Sequence, residues 1–303
     1  MCKNCKLKPV IKLPNSNISL CKTCFLRYFE RKVRKTVRQY KLFKKGQHVG
    51  VAVSGGKDSL TTLKVLNKII KPQRTTKLTA ISINEGIKPY RNKTIAHAEK
   101  FCKENDIELK IFSFEEAYKK TLDKILKKKK DTIPCSICGV LRRYLLNKKA
   151  QELKLDVLAT GHNLDDEAQT ILMNQFRNNV AASARLGPIT GIKNNKKFVR
   201  RIKPLYFLTE KEIMTYAILN KISVEHSRCP YSKEAFRDEV RATLNNLNKK
   251  YPSTKFSIIN SFIEMLPLLK KNYKKSKINY CNNCEEPCSQ ETCQTCKILE
   301  GIK

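Results

Sequence analysis

Residues 48–70 read HVGVAVSGGKDSLTTLKVLNKII, and this stretch decides the fold. Its first part is a short apolar run rich in valine, which predicts a buried strand. Its last part, from Lys57, has apolar residues at helical spacing and predicts a helix. Between them, Gly55 and Gly56 permit a tight turn whose backbone N–H groups can approach an anion at the helix N-terminus. The stretch therefore predicts a strand, a phosphate-binding loop and a helix.

The loop is SGGKDS, residues 54–59, and most of its side chains suit a phosphate. Ser54 and Ser59 can donate hydroxyl hydrogen bonds, and Lys57 adds a mobile cation. Asp58 would repel a phosphate unless it caps the helix or helps to hold Mg²⁺. The close glycines exclude the longer G-x-x-x-x-G-K-[ST] loop of ordinary NTPases. A glycine–serine turn without a ligand is the alternative.

The loop resembles that of the PP-loop ATP pyrophosphatases, which cleave ATP between its α and β phosphates and transfer AMP to an oxygen of their substrate. This resemblance implies an ATP site formed by Ser54, Gly55, Gly56, Lys57, Asp58 and Ser59, with the pyrophosphate portion in the loop. By itself, the SGGKDS motif indicates the superfamily and no more.

Strands and helices alternate after the loop. Further strands are predicted at residues 78–84, 107–112 and 155–162. This alternation indicates βαβ units, so the predicted fold class is α/β, with a doubly wound, mostly parallel sheet covered on both faces. Ligands of such sheets lie beyond the carboxyl ends of the strands. Helical structure is predicted, among other places, at residues 115–126, 139–153 and 234–272.

The chain of 303 residues carries a formal net charge of +35, from 62 lysines and arginines against 27 acidic residues. Such an excess favours a polyanionic partner, and nucleic acid is the most common one. A solvated, lysine-rich surface is the alternative. The basic residues concentrate in a helix predicted over 27–46 and in the stretches Lys127–Lys130, Lys193–Lys203 and Lys270–Lys277.

The sequence suggests neither export nor insertion in a membrane. The opening MCKNCKLK lacks the apolar segment of a signal peptide, and no apolar run reaches the roughly 18 residues of a membrane span. Cysteines in C-x-x-C pairs are typical of intracellular metal sites. We therefore expect a cytoplasmic protein with no membrane partner.

Eight of the thirteen cysteines form two sets at the chain ends. The sets are Cys2, Cys5, Cys21 and Cys24, and Cys281, Cys284, Cys293 and Cys296. The spacings C-x₂-C-x₁₅-C-x₂-C and C-x₂-C-x₈-C-x₂-C suit two tetrahedral Zn²⁺ sites, and disulfides are the alternative. Cys288 lies inside the second set and is left out as a ligand. Cys102, on a predicted helix, is expected to be a small buried apolar residue.

These features predict five parts of the chain, and no long-period repeat is apparent. They are an N-terminal zinc module (1–26), a basic helix (27–46), a PP-loop catalytic α/β domain (47–225), a helical C-terminal part (226–278) and a C-terminal zinc module (279–303).

Three cysteines remain near the middle of the chain. Cys135 and Cys138 lie in TIPCSICGVLRR, residues 132–143, and Cys229 follows much later. Three thiolates do not close a structural zinc site, which takes four ligands. On the residues alone, a [4Fe–4S] cluster with one open iron, a zinc ion, and a redox pair with an idle third cysteine remain open.

A second strand end followed by a helix start is found in ATGHNLDDEAQT, residues 159–170. Asp165 and the two acidic residues after it fall in the first helical turn, where negative charge is favourable without any chemistry. The functional alternative places Asp165 beside the reacting group or a bound Mg²⁺. Taken alone, His162 is more simply a structural histidine.

Four motifs in order, SGGKDS, PCSICGVLRR, TGHNLDDEAQT and RCPYSKEAFRDEVR (228–241), resemble the TtuA group of tRNA 2-thiouridine synthetases. The resemblance covers nearly the whole chain. It implies ATP-dependent adenylation of the C2 oxygen of a tRNA uridine, at the wobble or T-loop position, and then sulfur transfer that gives 2-thiouridine. It also implies a [4Fe–4S] cluster on Cys135, Cys138 and Cys229, whose open iron binds the sulfur to be transferred.

The same resemblance suggests roles for the other site residues and the partners. Gly161 and His162 join the ATP site, and Asp165 is the candidate for polarising or deprotonating the uridine. Arg142 stands where some relatives have a lysine; because arginine hardly releases a proton, we expect it to stabilise charge. The implied partners are tRNA, a second copy of the chain in a homodimer, and a sulfur donor, either a ubiquitin-like thiocarboxylate protein or sulfide.

Two other functions remain open from the sequence. One is a different PP-loop tRNA-modifying enzyme, either a ligase or a thiolase that uses a cysteine persulfide. The three internal cysteines argue against an amide-forming ligase, which has no use for them. The other is a zinc-containing RNA-binding protein without enzymatic activity.

Overall fold

The computed structural model describes residues 1–128, 132–192, 195, 197–222, 229–232, 235–274 and 278–302. Its strands are β1 (Ile11–Lys12), β2 (Ser19–Leu20), β3 (His48–Ala52), β4 (Lys77–Asn84), β5 (Glu108–Ser113), β6 (Val157–Ala159), β7 (Arg200–Ile202), β8 (Asn279–Tyr280) and β9 (Pro287–Cys288). Its helices are α1 (Lys22–Gln39), α2 (Lys57–Ile70), α3 (Tyr90–Glu104), α4 (Phe114–Tyr118), α5 (Leu122–Lys128), α6 (Pro134–Glu152), α7 (Leu164–Phe176), α8 (Val180–Ser183), α9 (Glu210–Leu219), α10 (Ala235–Lys250), α11 (Thr254–Tyr273) and α12 (Gln294–Glu300).

Five strands form one parallel sheet in the order β5–β4–β3–β6–β7. Val51 of β3 is buried in a core cluster with Phe29 of α1 and Leu63 of α2. On the other face, Ile81 of β4 packs in a cluster with Ala150 of α6. Helices therefore cover both faces, because a sheet that is apolar on both sides must exclude water from both. The predicted doubly wound α/β fold is confirmed.

The basic helix occupies a different range from the predicted 27–46. It begins at Lys22, and it ends at Gln39 because Lys41 adopts a left-handed conformation with φ of 48°. The next two side chains, Leu42 and Phe43, turn into the core instead of continuing the helical surface. Residues 40–46 are thus the connection that feeds β3.

Other predicted helices also differ in their ends. The single helix predicted over 115–126 is two short helices, α4 and α5, separated at Lys119 with φ of 57°. The predicted helical stretch 234–272 is interrupted at Ser253, between α10 and α11. Helix α6 begins at Pro134 rather than Gly139, since proline suits the first helical turn. Both cysteines of its C-x-x-C pair therefore lie on a helix.

Edge strand β7 was not predicted, because Arg200 and Arg201 interrupt the apolar pattern of that segment. Beyond the sheet, α10 and α11 pack on α7 through a separate apolar cluster that includes Leu164, Leu244 and Phe262. In the described part of the chain, no helix is long and apolar enough to cross a bilayer.

The cysteine-rich ends attach to different helices. The N-terminal module, residues 1–24, contains the β1–β2 hairpin and shares the core cluster of α1. The C-terminal module, residues 278–302, contains the β8–β9 hairpin and α12. Its Ile302 is buried in one cluster with Leu141 and Leu145 of α6, so this module braces the helix that carries the central cysteine pair.

Candidate active site

The SGGKDS loop connects β3 to α2 with the geometry that its glycines permit. Gly55 has φ of +85°, and a Cβ there would lie 1.9 Å from the carbonyl oxygen of Thr94. The N–H of Ser54 donates to Ser59 Oγ at 3.1 Å, which closes the loop on the helix start. A larger residue at position 55 would therefore deform the turn that presents the backbone N–H groups.

The second predicted half of the ATP site lies against this loop. Gly161 follows β6, and a Cβ on it would lie 2.9 Å from the backbone nitrogen of Ser59. Asn163, which caps α7, donates its amide to Asp58 Oδ1 at 3.2 Å. The carboxyl ends of the neighbouring strands β3 and β6 thus bring together residues about a hundred positions apart in the chain.

Lys57 is held by two carboxylates. Its ammonium lies 3.0 Å from Asp58 Oδ2 and 2.9 Å from Glu210 Oε1. Burial alone would lower the pKa of Lys57, but the two carboxylates raise it above its ordinary value. The lysine is therefore cationic. Sequence reasoning missed Glu210, because the T-E-K-E pattern at residues 209–212 signals only the start of α9.

His162 occupies the same edge of the sheet. Its side chain is exposed and its Nδ1 lies 2.9 Å from Thr160 Oγ1. Partial desolvation, and then the charges of Lys203 and Arg142, lower the pKa of His162 below its ordinary value. The imidazole is neutral at physiological pH, so it offers a hydrogen bond rather than a charge.

The acidic residues at the start of α7 make internal contacts. Asp165 is buried; its Oδ2 accepts from the Glu210 N–H at 2.8 Å and its Oδ1 from Lys255 Nζ at 2.5 Å. Asp166 forms a capping box with Asn163. Asp165 thus connects α7, α9 and α11, and both of its oxygens already have donors.

The central cysteines meet at the first turn of α6. Cys138 and Cys229 pack against one apolar cluster, and Cys135 Sγ lies 3.3 Å from the carbonyl oxygen of Tyr231. Burial raises the pKa of the Cys138 thiol to about 11; Arg142 opposes this shift, while the charges of Cys229 and Cys135 add to it. The three sulfurs therefore lie close enough to influence one another.

Their spacing differs from that of a single-ion site. The three sulfurs are not among the sets of metal-ligating atoms that the structure brings within 4.8 Å of one another in the described residues. They therefore do not converge on one ion. Iron–sulfur clusters do not require such convergence, because each cysteine can hold a different iron.

A buried carboxylate that the sequence reasoning missed joins the two halves of the site. Glu85, after β4, is 3% exposed; its Oε1 lies 3.3 Å from Arg142 Nη1 and its Oε2 lies 2.6 Å from Arg91 Nε. Arg91 in turn donates to the carbonyl oxygen of Ser54 at 2.5 Å. These contacts run from the phosphate loop to the helical turn of Cys138. The sequence signal for Glu85 was its position, an acidic residue directly after the buried parallel strand β4.

The terminal cysteines form compact sets. The four sulfurs of each predicted set lie within 4.8 Å of one another. The sulfur–sulfur separations are 3.4 Å for Cys5–Cys21, 3.7 Å for Cys5–Cys24 and 3.7 Å for Cys284–Cys293. Tetrahedral ligands at about 2.3 Å from one ion lie roughly 3.8 Å apart, whereas bonded disulfide sulfurs lie about 2.05 Å apart. Both sets therefore fit a tetrahedral metal ion.

The two spare cysteines stay outside these sites. Cys288 is not in the compact set around it, and its Sγ contacts the Gln290 carbonyl oxygen. Cys102 is buried in the main core, where desolvation raises the pKa of its thiol to about 11, as expected of a small apolar residue. Residues 129–130, 193–194, 196 and 275–277 of the basic stretches, and residues 228 and 233–234 of the fourth motif, lie outside the described residues.

The chain matches known proteins over most of its length. Residues 26–248 match the family of PP-loop domains. The chain is 36% identical to the tRNA-5-methyluridine(54) 2-sulfurtransferase of Pyrococcus horikoshii over 302 residues, which cover 100% of this chain and 94% of that one. It is also 36% identical to cytoplasmic tRNA 2-thiolation protein 1 of Danio rerio over 305 residues, covering 99% and 88%.

Among solved structures, the U34-tRNA thiolase NcsA from Methanococcus maripaludis, with its [4Fe–4S] cluster, superposes with a TM-score of 0.87 and 36% identity over 99% of this chain and 96% of that one. The chain therefore belongs to the PP-loop family. Within that family, it belongs with the tRNA sulfurtransferases and 2-thiolation proteins.

Proposed function

We propose that this protein is an ATP-dependent tRNA sulfurtransferase that converts a uridine of tRNA to 2-thiouridine. The observation that carries the proposal is the juxtaposition of a PP-loop with three non-terminal cysteines, joined by the Arg91–Glu85–Arg142 contacts. A nucleotide-activating loop alone would serve many ligases. Cysteines beside it supply a place for sulfur, which amide-forming reactions do not need.

The first step is adenylation of the base. The C2 oxygen of the uridine attacks the α-phosphate of ATP, the bond to the β-phosphate breaks, and pyrophosphate leaves. The loop N–H groups and Lys57 stabilise the charge that develops on the leaving pyrophosphate. To do so, Lys57 exchanges Glu210 for phosphate, and Asp58 is the candidate ligand of Mg²⁺.

In the second step, sulfide from the sulfur donor attacks C2, the bond between C2 and its oxygen breaks, and AMP leaves with that oxygen. AMP is a better leaving group than oxide. Arg142, held by Glu85 one helical turn beyond Cys138, is placed to stabilise negative charge on sulfur or on the departing AMP. Asp165 supports this chemistry from a distance, because its carboxylate fixes α9, and with it Glu210, relative to α7. The neutral imidazole of His162 adds a hydrogen-bonding group beside the nucleotide.

Cys135, Cys138 and Cys229 would hold the [4Fe–4S] cluster. Their sulfurs do not converge on one ion, and Cys138 and Cys229 pack against an apolar cluster. Such a cluster supplies an open iron that binds sulfur. The chain's own contribution is to place Cys138 beside the Arg142 guanidinium, whose charge opposes the burial that raises the pKa of this thiol. The two terminal sets would each hold Zn²⁺, the usual ion for four thiolates.

The partners follow from the same proposal. We predict a homodimer, and as sulfur donor either a ubiquitin-like thiocarboxylate protein or sulfide. The name of the zebrafish relative suggests action in the cytoplasm. A uridine must leave its base stack to reach the cleft at the sheet edge. The wobble and T-loop positions both remain candidates, since relatives named for U34 and for position 54 are similarly close.

The test is anaerobic reconstitution with iron and sulfide, followed by reaction with unmodified tRNA, ATP and Mg²⁺. Mass spectrometry of the digested tRNA should show 2-thiouridine, and mapping of the fragments gives its position. Lys57→Ala should lose both AMP release and thiolation, because the loop then lacks its cation. A different modified nucleoside, or no tRNA-dependent AMP release by the reconstituted wild type, would contradict the proposal.

A further inference from the structure

A second feature lies away from the active site. A cavity of about 740 Å³ opens between α1 and the last turn of α2. We call it the basic groove; its defining residues are Arg27, Arg31, Arg34, Arg38 and Lys45. The four arginines recur at helical spacing on one face of α1, and all four side chains are exposed. Phe43 and Ile69 form part of its wall. The groove thus combines a row of cations with a defined shape.

The positive charge of the groove is not neutralised by the fold. Its acidic member, Glu30, is already engaged, with Lys68 Nζ at 2.7 Å and the Tyr216 hydroxyl at 3.0 Å. Within the described ranges, no carboxylate lies in ion-pair distance of the four groove arginines. Arg34 does donate to the Lys68 carbonyl oxygen at 3.4 Å, which holds it against α2. An uncompensated row of this kind favours an anionic partner.

The groove is remote from the chemistry. Helix α2 starts at the PP-loop, and Ile69 lies twelve residues after Lys57, which corresponds to about 18 Å along the helix axis. Phe43 and Lys45 precede the first residue of β3, so the groove lies near the amino ends of the strands, while nucleotide and cysteines lie at the carboxyl ends. A ligand in the groove therefore touches no reacting atom.

We infer that the basic groove is a docking surface for the sugar–phosphate backbone of the tRNA, separate from the site that receives the uridine. This inference rests on the proposed function. The row from Arg27 to Arg38 is about 17 Å long, at 1.5 Å per residue, and therefore spans several successive phosphates of one strand. Guanidinium groups suit this role because their planar fork matches phosphate oxygens.

The groove contributes affinity for tRNA that does not depend on the nucleotide sequence. Phosphate contacts position an RNA but do not read its bases, so the uridine is selected elsewhere. A backbone contact that is the same in the ground state and in the transition state is uniform binding, so its loss raises KM and leaves kcat unchanged.

The experiment compares tRNA binding by the full-length protein and by the variant Arg27→Ala/Arg31→Ala/Arg38→Ala over a range of salt concentrations, with an unmodified tRNA transcript as probe. Each lost phosphate contact should lower the slope of log K against log salt by about 0.7–1, so the variant should lose about 2–3 from the slope. Affinity at low salt should fall at least tenfold, and kcat for thiolation should not change.

Two controls sharpen the outcome. Lys93→Ala/Lys100→Ala/Lys103→Ala removes the same charge from exposed positions of α3 and should keep the wild-type slope. Arg27→Lys/Arg31→Lys/Arg38→Lys should keep most of the slope, since lysine remains a phosphate-binding point charge.

Wild-type affinity and slope in the alanine variant would overturn the inference and leave an acidic protein as the better partner for the groove. An equal loss in the α3 control would also overturn it, by showing that net charge alone matters. The proposed function fails separately: a wild type that binds tRNA with the full slope but forms no 2-thiouridine refutes thiolation and leaves the groove in place.

Discussion

The terminal cysteine sets and the central cysteines use the same side chain for two different purposes. At each terminus, four sulfurs converge to the spacing of one tetrahedral ion and offer no open position. In the centre, three sulfurs stand further apart beside Arg142 and a buried carboxylate, next to a nucleotide loop. Closed coordination stabilises a small module, whereas incomplete coordination leaves a position for substrate.

The two kinds of site also differ in what surrounds them. Each terminal set belongs to a small module built from a two-stranded hairpin and the start of a helix, in which a bound metal ion would supply much of the folding free energy. The central cysteines sit on a 19-residue helix packed against the main sheet, which folds through apolar burial. Loss of a central sulfur should therefore affect chemistry, and loss of a terminal one should affect structure.

The largest effect is expected at the central cysteines. Cys135→Ala, Cys138→Ala and Cys229→Ala should each reduce thiolation by about a thousandfold or more, or roughly 4 kcal/mol in activation free energy, because a sulfur-carrying site loses a ligand. Melting temperature should change little. Anaerobic activity assays, iron content and thermal melts measure the three quantities. Full activity of the Cys229 variant would remove that residue from the site.

A smaller direct effect on the chemical step is expected at the terminal sets, because they act through structure. Cys21→Ser and Cys281→Ser should each cost the protein one zinc ion and unfold the corresponding module, since structural zinc contributes on the order of 10 kcal/mol in such small units. Zinc content and limited proteolysis report this directly.

The two terminal variants should also differ from each other. Because Ile302 of the C-terminal module packs on Leu141 and Leu145 of α6, Cys281→Ser should lower the iron content of the reconstituted protein more than Cys21→Ser does. Equal iron content in both variants would show that the C-terminal module does not brace the central site.

A smaller effect is expected for Glu85→Gln, which removes the charge between two arginines. The variant should lower kcat about 10- to 100-fold, as loss of residues that orient a site commonly does, with little change in the KM for ATP. AMP release and thiolation should fall together, since Glu85 contacts both halves of the site.

The matched control is Glu115→Gln, an exposed carboxylate that pairs with Lys124 at 3.4 Å. It should behave as wild type. If Glu85→Gln instead loses thermal stability but keeps its kcat, Glu85 stabilises the fold without positioning the reactants.

The smallest effect concerns stability and pH. Burial, and then the nearby charge of Asp58, raises the pKa of Asp166 to about 6. Because this folded-state pKa exceeds that of the unfolded chain, the group's contribution to stability is complete below about pH 4 and is lost as pH rises through 6. Asp166→Asn cannot ionise and should be more stable than wild type at pH 8, by up to about 2 kcal/mol given its partial exposure.

Thermal melts of both proteins between pH 4 and pH 8 measure this difference. The stabilities should converge toward pH 4. A constant difference across this range would show that Asp166 is ionised throughout, and that its cap on α7 matters more than its charge.

Much of this architecture was predictable because it is encoded locally. The PP-loop, the βαβ order and the two terminal cysteine sets depend on residues close together in the chain, where spacing and backbone preference are sufficient. The predicted helix ends were less accurate. Lys41, Lys119 and Ser253 have a left-handed backbone conformation, and none of them is the glycine that usually signals it.

The sequence by itself determined the nucleotide loop, the strong positive charge and the division of the cysteines into complete and incomplete sets. The tertiary structure alone decided which distant side chains meet: Cys229 beside Cys138, Glu210 on Lys57 across 153 residues, and Glu85 between Arg91 and Arg142. The physical reason is that parallel strands bring their carboxyl ends to one edge of the sheet. TIPCSICGVLRR acquires its third sulfur, its carboxylate partner Glu85 and its nucleotide loop only at that edge.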